Sequence, residues 1–286
     1  MSTDTRQFAK DNRMKVAVIG NPIQHSKSPL IHNYYLEKLS ISAKYQALHI
    51  QSLKELDAFM DELRAPDWRG INITIPYKEA VLNYLDDMDD AVKVIGACNT
   101  IVNDHGRLMG YNTDAEGFYY PIQNESISSV VILGNGGAAK AVLYQCAKVG
   151  VAQITLVARD HKKSSDLCDR LVNKFGANIK TTSFEQLDAT EISRANIVIN
   201  TTSVGMARDD VPFECVHHMN KGQIFYDLIY TPWETQMMSI ALANGAKCMN
   251  GASMLAHQGA LAFQHFFGEC PDTLGMIKLI KDSLKK

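Results

Sequence analysis

The sequence predicts an α/β protein built from two units, each a mostly parallel sheet with helices on both faces. Two observations support this prediction. Short apolar runs typical of strands alternate with helix-length amphipathic segments along the chain, and the length of 286 residues corresponds to about two average domains. With 46% hydrophobic and 21% charged residues, the chain can bury a substantial core.

The first unit is predicted over residues 14–115, after a loose extension formed by residues 1–13. Its short β-branched runs end in glycine, proline or turn residues, and its longer segments carry apolar side chains on one stripe. Strands are expected over residues 15–20, 43–50, 70–75, 98–102 and 107–111, helices over 29–39 and 53–63, and a hairpin-like turn over 103–106.

The second unit is predicted over residues 116–250, entered through a connecting helix at residues 113–122. Strands are expected over 130–133, 154–157, 197–200 and 224–228, and helices over 136–149 and 164–175. Residues 251–286 form two closing helices, at 251–267 and 271–284. A cleft between two such units is the expected place for a ligand.

Charge and composition exclude several classes of partner. The chain has 29 Lys and Arg residues against 31 Asp and Glu residues, which gives no electrostatic basis for binding nucleic acid or an anionic membrane. No apolar run approaches the ~20 residues that span a bilayer, and the polar N-terminus lacks the pattern of a secretory signal. We therefore expect a cytoplasmic protein. The six scattered cysteines form no metal-binding spacing with histidine, so no metal is expected.

The strongest single motif is a glycine-rich loop over residues 134–139, G-N-G-G-A-A, between an apolar strand and a helix. Gly134 permits the tight turn, Gly136 lets the backbone approach a pyrophosphate, and Ala139 lets the helix pack on the strand. The first N–H groups of the helix then face the phosphates. The motif predicts dinucleotide binding, and the alternative is a turn that serves only chain reversal.

The end of the next strand bears on the choice between NAD and NADP. Ala158 stands where an acidic residue would bind the ribose 2′-hydroxyl of NAD. The cationic Arg159, Lys162 and Lys163 that follow suit a 2′-phosphate, which favours NADP. NAD becomes competitive if the Asp160 carboxylate points into the pocket, although this residue also suits the N-cap of the following helix.

Four polar clusters follow predicted strands of the first unit, where a doubly wound sheet binds its ligand. Ser26 and Ser28 precede a helix, and hydroxyls combined with helix N–H groups suit a carboxylate. Capping by Ser28 with a proline at the first helical position is equally consistent with the sequence.

The remaining clusters offer hydrogen-bonding groups and two charges. Asn72 and Thr74 share one face of a strand, and Lys78 follows them, where an ammonium group suits catalysis as well as a surface. Asn99 offers a further amide. Asp114 brings a carboxylate to the start of the connecting helix, where it could also act as a cap.

Taken together, residues 21–29, 72–78, 96–100, 110–114, 200–206 and 251–258 resemble, in order, the signatures of the shikimate dehydrogenases. The resemblance runs from about Met14 to the C-terminus. It implies an N-terminal α/β substrate domain, a C-terminal Rossmann-like NADP-binding domain and last helices that return to the substrate domain. It also implies NADP-dependent interconversion of shikimate and 3-dehydroshikimate in aromatic amino-acid biosynthesis. We expect a small-molecule substrate as the partner, and a chain that is a monomer or a homodimer.

The resemblance also implies roles for individual residues. Lys78 and Asp114 would form the catalytic pair, with the lysine either exchanging the hydroxyl proton or stabilising the developing alkoxide. The substrate would be held by Ser26, Ser28, Asn72, Thr74, Asn99, Tyr230 and Gln258. The cofactor would be held by Gly134, Asn135, Gly136, Gly137, Ala138, Ala158, Arg159, Asp160, Lys163, Thr201, Met206, Leu228 and Gly251, with Asp90 as a further candidate.

Local departures from the family pattern concern the cofactor. Asn135 replaces the usual alanine of the glycine loop, and Ala158 and Asp160 replace the asparagine and threonine usual in its NADP-binding form. One alternative is therefore a relative that also uses quinate or accepts NAD. A non-catalytic NADP-binding sensor is disfavoured because Lys78 and Asp114 are both present. A methylene-tetrahydrofolate dehydrogenase-like enzyme would leave the paired serines unexplained.

Overall fold

The computed structural model describes residues 13–207 and 210–285, so the predicted extension lies outside the described residues except for Arg13. The contacts divide the chain into two compact units. One runs up to Thr113 and also includes Gln258–Ile280, and the other comprises Asp114–His257 with the residues from Lys281 onward. Each contains a six-stranded sheet, which confirms the predicted α/β class. None of the helices within the described ranges is long and apolar enough to cross a membrane.

The first unit contains a mixed six-stranded sheet. The strands are β1 (Met14–Gly20), β2 (Ala43–His49), β3 (Trp68–Ile73), β4 (Asp87–Met88), β5 (Thr100–Asp104) and β6 (Arg107–Tyr111), and the helices are α1 (Ser28–Lys38), α2 (Leu53–Glu62) and α3 (Asp90–Ile95). The strand order is β2-β1-β3-β5-β6-β4. β1 pairs in parallel with β2 and β3, whereas β5 pairs antiparallel with both β3 and β6.

The two faces of this sheet have different environments. Ala17, Ile19 and Ile71 point into an apolar cluster that contains the buried face of α2, including Leu56 and Phe59. Because side chains alternate along a strand, their neighbours point to the other face, which carries the polar residues described below. The β5–β6 turn is shorter than predicted, since Asp104 pairs with Arg107 and only His105 and Gly106, both with positive φ, connect the strands.

The second unit contains an all-parallel six-stranded sheet. The strands are β7 (Ser129–Leu133), β8 (Gln153–Val157), β9 (Ile179–Thr182), β10 (Ile197–Asn200), β11 (Ile224–Asp227) and β12 (Lys247–Asn250). Their order is β12-β11-β10-β7-β8-β9. This is the doubly wound arrangement in which the strand order reverses beside the first strand, here between β7 and β10.

Helices connect these parallel strands and complete the chain. The helices are α4 (Thr113–Tyr119), α5 (Gly137–Lys148), α6 (Ser165–Phe175), α7 (Ala189–Arg194), α8 (Gln236–Ala243), α9 (Ala252–Phe267) and α10 (Thr273–Ser283). Those of the second unit carry buried apolar residues, such as Leu143 on α5 and Met237 on α8. The sequence pattern did not predict α3, α7, α8, β4, β9 or β12.

Candidate active site

The glycine loop has the geometry of a phosphate-binding turn. Gly134 has φ +108°, and a Cβ added there would lie 2.7 Å from Thr201 Oγ1, so only glycine fits. Gly136 has φ −77° and is the N-cap of α5, where no side chain caps the helix, and a Cβ there would meet nothing within 4 Å. The first N–H groups of α5 are therefore approachable from the loop side, which fits a dinucleotide pyrophosphate.

The glycine loop is tied to the segment after β8 by one side chain. Asn135 Nδ2 donates a 2.6 Å hydrogen bond to the carbonyl oxygen of Asp160. Ala158 is buried, whereas Arg159, Asp160 and Lys163 are exposed, as groups that contact a ribose phosphate must be. Asp160 directly precedes a 3₁₀ helix over His161–Ser164, and Ser164 is the N-cap of α6, so Asp160 does not cap the α-helix itself.

The nicotinamide-side candidates follow the neighbouring strands β10, β11 and β12. Thr201 donates to the carbonyl oxygen of Leu133 through both its backbone nitrogen, at 3.0 Å, and its hydroxyl, at 2.7 Å. Gly251 packs so closely on Leu228 that an added Cβ would lie 1.9 Å from its carbonyl oxygen. Met206 is exposed in the loop after β10. The structure thus brings these residues to the carboxyl edge of the sheet, where this fold binds its ligand.

Ser26 and Ser28 are close neighbours at the start of α1. Ser28 N donates to Ser26 Oγ at 3.3 Å, and the buried Ser28 side chain hydrogen-bonds the phenol of Tyr45. The predicted N-cap role of Ser28 is wrong, since it is the first helical residue and Lys27 stands at the N-cap without a side-chain bond. The physical reason is the tyrosine, which engages the hydroxyl that would otherwise cap the helix.

A buried network of polar side chains continues from Tyr45 across the first sheet. The phenol of Tyr45 donates to Asn72 Oδ1 at 2.6 Å, and Asn72 Nδ2 donates to Thr100 Oγ1 at 2.9 Å. Thr100 Oγ1 donates in turn to Asn99 Oδ1 at 3.1 Å. Burial raises the pKa of Tyr45 well above its usual value, and the hydrogen bond with Ser28 opposes this shift, so the phenol remains a neutral donor.

Tyr45 and Thr100 are members of this network that the sequence reasoning missed. Tyr45 lies in a strand that carries no motif, where a tyrosine is ordinary. Tyr45 pairs with Val16 of β1, and Asn72 pairs with Val18, two residues further along the same strand. Tyr45 and Asn72 therefore lie on the same face of the sheet. This register is visible only in the structure.

Lys78 lies in the turn after β3, and its carbonyl oxygen accepts from Cys98 N at 2.8 Å. Burial raises the pKa of the Cys98 thiol to about 12, and the positive charge of Lys78 opposes this rise. The ammonium group of Lys78 is therefore close enough to Cys98 to affect its thiol electrostatically. Thr74 lies one residue beyond the end of β3 rather than in the strand, but its N–H still bonds the Ile19 carbonyl oxygen at 2.9 Å.

Asp114 lies buried in the first turn of α4, where the helix dipole favours a carboxylate. The residue before it is held firmly, because Thr113 N donates to Asn99 Oδ1 at 2.8 Å and Asn99 Nδ2 donates to Thr113 Oγ1 at 3.0 Å. The side chain of Asn99 therefore connects the hydrogen-bond network to the start of the helix that carries Asp114.

Three further candidates lie after the end of β11, in α9 and in α3. Tyr230, in the turn after β11, is partly buried, and desolvation raises its pKa. Gln258 is half-buried in α9, and Asp90 lies in the first turn of α3, which belongs to the first unit. Within the described ranges, no group of three or more His, Cys, Asp or Glu residues is placed to hold a metal ion.

Strand order, the glycine loop and the uncapped start of α5 define the second unit as a dinucleotide-binding domain. Comparison with known families agrees with this assignment and extends it. Residues 18–101 match the shikimate dehydrogenase substrate binding domain, and residues 122–220 match the shikimate / quinate 5-dehydrogenase family.

Individual relatives match over nearly the full length. The shikimate dehydrogenase (NADP(+)) of Geobacillus kaustophilus is 36% identical over 276 residues, covering 94% of this chain and 98% of the relative. The crystal structure of shikimate 5-dehydrogenase from Thermus thermophilus in complex with NADP(H) and shikimate is 32% identical with a TM-score of 0.82, covering 95% and 100% of the two chains. Quinate dehydrogenase from Corynebacterium glutamicum in complex with NAD is 28% identical with a TM-score of 0.86, covering 94% and 99%. The chain belongs to the shikimate dehydrogenase family.

Proposed function

We propose that this chain catalyses the reversible, NADP-dependent reduction of 3-dehydroshikimate to shikimate, a step towards chorismate and the aromatic amino acids. The observation that carries the proposal is the match to an NADP-dependent shikimate dehydrogenase over 94% of the chain. The catalytic candidates Lys78 and Asp114 and the serine pair at the start of α1 are all present in that matched length. In this proposal residues 14–115 bind substrate and residues 116–250 bind cofactor, with residues 251–286 belonging to the substrate domain.

The residues present fit the cofactor. The uncapped helix start behind Gly136 supplies N–H donors for the pyrophosphate, and exposed Arg159 and Lys163 supply positive charge for the 2′-phosphate. Bound NADP(H) would accept or supply the hydride. The side chains after β10 to β12 would set the position of its nicotinamide, with Thr201 held by its two bonds to Leu133.

The first unit supplies the groups that hold the substrate. Ser26 and Ser28 would hold the carboxylate, helped by Tyr230, while Thr74, Asn99 and Gln258 would hold ring hydroxyls with Asn72 alongside. In the structure, Ser28, Asn72 and Asn99 belong to a single buried hydrogen-bond network. A network with fixed partners holds its donors in place before the substrate arrives, which lowers the cost of orienting them on binding.

Lys78 and Asp114 would act on the hydroxyl that becomes the ketone. When the alcohol is oxidised, its proton must leave the oxygen as the carbonyl forms. The amine of Lys78 would exchange this proton or, as an ammonium, stabilise the negative charge on the oxygen. Asp114 would orient the lysine and accept a hydrogen bond from the neighbouring hydroxyl. Both roles of the lysine place its Nζ at the same oxygen.

A second candidate function is oxidation of quinate with NAD. It is favoured by the exposed Asp160 carboxylate in the adenosine segment and by the likeness to a quinate dehydrogenase solved with NAD. Initial rates with shikimate and with quinate, each paired with NADP and with NAD, separate the two functions. We expect the highest kcat/KM for shikimate with NADP.

Other outcomes of the same assay have definite meanings. A higher kcat/KM for quinate with NAD would replace the proposed function by the second one. NADP binding by calorimetry without turnover of either substrate would indicate a non-catalytic sensor. A cytoplasmic location and a monomeric or homodimeric state belong to the same proposal, and cell fractionation and light scattering test them.

A further inference from the structure

A buried carboxylate hydrogen-bonds to the start of the two loops that follow β10 and β11 and carry nicotinamide-side candidates. Asp227 is the last residue of β11 and is fully buried. Its Oδ1 accepts from Asn200 Nδ2 at 2.9 Å and from Ile229 N at 3.1 Å, and its Oδ2 accepts from Thr235 Oγ1 at 2.6 Å. Burying a carboxylate is costly unless donors compensate it. Desolvation raises the pKa of Asp227, and the three donors act against that shift.

The first donor shapes the loop after β10. Asn200 Nδ2 donates to Asp227 and also to the carbonyl oxygen of Val204 at 3.1 Å. Asn200 Oδ1 accepts from both the backbone nitrogen and the hydroxyl of Thr202, at 3.0 and 2.7 Å. The amide that contacts Asp227 therefore closes the turn between Thr201 and Met206, which are both cofactor candidates.

The second donor shapes the turn after β11. Ile229 N bonds Asp227 directly, and Leu228 N donates to the carbonyl oxygen of Asn200 at 2.9 Å. These bonds hold a turn that carries Leu228, on the cofactor side, and Tyr230, a substrate candidate. Both loops thus depend on one carboxylate.

The third donor connects the carboxylate to a helix. Thr235 is the N-cap of α8, where its hydroxyl oxygen accepts a hydrogen bond from Met238 N at 3.2 Å. The same hydroxyl donates its hydrogen bond to Asp227. One hydroxyl therefore satisfies the helix end and the buried carboxylate together. Loss of the Thr235 hydroxyl would leave the Asp227 carboxylate with two hydrogen-bond donors instead of three.

We propose that Asp227, held by Asn200 and Thr235, is a positioning residue that locks the loops after β10 and β11 into the conformation that receives the nicotinamide. The inference rests on the proposed function for the role of those loops. Asp227 itself is not proposed to contact the cofactor, because the three hydrogen-bond donors to its carboxylate all belong to the protein. A merely structural role would lower stability and leave cofactor affinity unchanged.

The test compares three variants of the full chain. Thr235→Val removes the hydroxyl at nearly constant volume, and Thr235→Ser keeps it. Asp188→Ala removes the N-cap of α7, whose carboxylate accepts from Thr190 N at 2.8 Å, and so reproduces the loss of a cap in the same unit away from the loops. The Kd for NADP is measured by calorimetry, KM and kcat by steady-state rates, and Tm by thermal unfolding.

We expect Thr235→Val to raise the Kd and the KM for NADP about tenfold, the order expected for one hydrogen bond to a charged group, and to lower kcat. Thr235→Ser should stay within about twofold of the wild type, and Asp188→Ala should lower Tm with an unchanged Kd. If Thr235→Val does not fold, Asn200→Ser tests the same link from β10 and should raise the Kd similarly.

Two results would overturn the inference: an unchanged Kd in folded Thr235→Val, or an equal rise in Asp188→Ala. Failure of the proposed function would appear differently. The wild type would then bind NADP without oxidising shikimate, and the Kd values of the variants would still decide whether Asp227 positions the loops.

Discussion

The hydroxyl of Tyr45 donates a 2.6 Å hydrogen bond to Asn72 Oδ1, although the two residues lie on β2 and β3 and β1 runs between them. The bond crosses the face of β1 because Tyr45 pairs with Val16 and Asn72 with Val18, two residues further on the same face. The same phenol bonds Ser28. One tyrosine therefore fixes two of the residues proposed to hold the substrate.

We predict that Tyr45→Phe raises the KM for shikimate several-fold, because Ser28 and Asn72 lose their common partner. The free energy of unfolding should fall by about 1–3 kcal/mol, the cost of leaving a buried acceptor unsatisfied. Tyr77→Phe is the matched control, since the buried Tyr77 hydroxyl donates to the Ile50 carbonyl oxygen at 2.7 Å. Steady-state kinetics should show an unchanged KM for the control at a similar loss of stability; an equal rise in KM would contradict the role of Tyr45.

Two glycines of the phosphate loop should respond differently to alanine. Gly136 has an ordinary φ and open space, so Gly136→Ala should keep the Tm of the wild type while its methyl group blocks the approach of the pyrophosphate and raises the Kd for NADP at least tenfold. Gly134→Ala should lose stability as well, because its φ is positive and its Cβ would meet Thr201. Thermal unfolding and calorimetry measure both effects. A Gly136→Ala protein that binds NADP normally would argue against this loop as the pyrophosphate site.

The bond from Asn135 to the Asp160 carbonyl oxygen should influence the choice of cofactor. We expect Asn135→Ala to lower the ratio of kcat/KM for NADP over NAD by about threefold to tenfold, since one hydrogen bond that orders the segment beside Arg159 is lost. The exposed Asn173 of α6 provides a control, and Asn173→Ala should leave the ratio unchanged. An unaltered ratio in Asn135→Ala would show that Arg159 and its neighbours are ordered without this bond.

Stability in acid should depend on His32. This residue is buried, stacks on the Tyr45 ring with centroids 4.1 Å apart, and neither of its ring nitrogens has a hydrogen-bond partner among the described residues. Burial lowers the pKa of His32 from 6.5 to about 3. Between these values the unfolded chain binds a proton that the folded chain does not, so stability rises with pH across this window and is lost as the pH falls.

We predict that His32→Leu makes the unfolding free energy less dependent on pH between about pH 6 and pH 4. The slope of the unfolding free energy against pH should fall by up to about 1.4 kcal/mol per pH unit, which corresponds to one proton. Urea unfolding at several pH values measures the slope. Above about pH 8, where the His32 imidazole is neutral in the folded and in the unfolded chain, the two proteins should have the same slope. An identical slope in wild type and His32→Leu in the acid range as well would mean that His32 titrates normally.

Local signals predicted most of the fold. The strand at residues 197–200 was predicted with its observed bounds, because a short apolar run between polar residues is typical of a buried parallel strand. Elements such as α3, with six residues, and β12, with the sequence K-C-M-N, were not predicted. They are too short or too polar for a periodic pattern, and tertiary pairing stabilises them.

The candidate site was also predicted only in part from the sequence. Motifs pointed to the glycine loop, Lys78 and the polar strand ends, since each has a local spacing with a chemical meaning. Sequence reasoning missed Tyr45 and Asp227, whose partners are up to 27 residues away. It also assigned Ser28 a capping role that the bond with Tyr45 replaces. Contacts set by register between distant strands leave no signature in a single sequence.

The central claim is that Lys78 acts at the reacting oxygen of the substrate, and the most direct measurement is the rate of shikimate oxidation by NADP in Lys78→Ala. We predict a fall in kcat of about 10²–10⁴-fold, the usual contribution of a proton-transferring group, with only a modest change in the Kd for shikimate and a wild-type Tm. Lys93→Ala, at an exposed lysine of α3, should turn over normally. Near-normal kcat in Lys78→Ala would contradict the account.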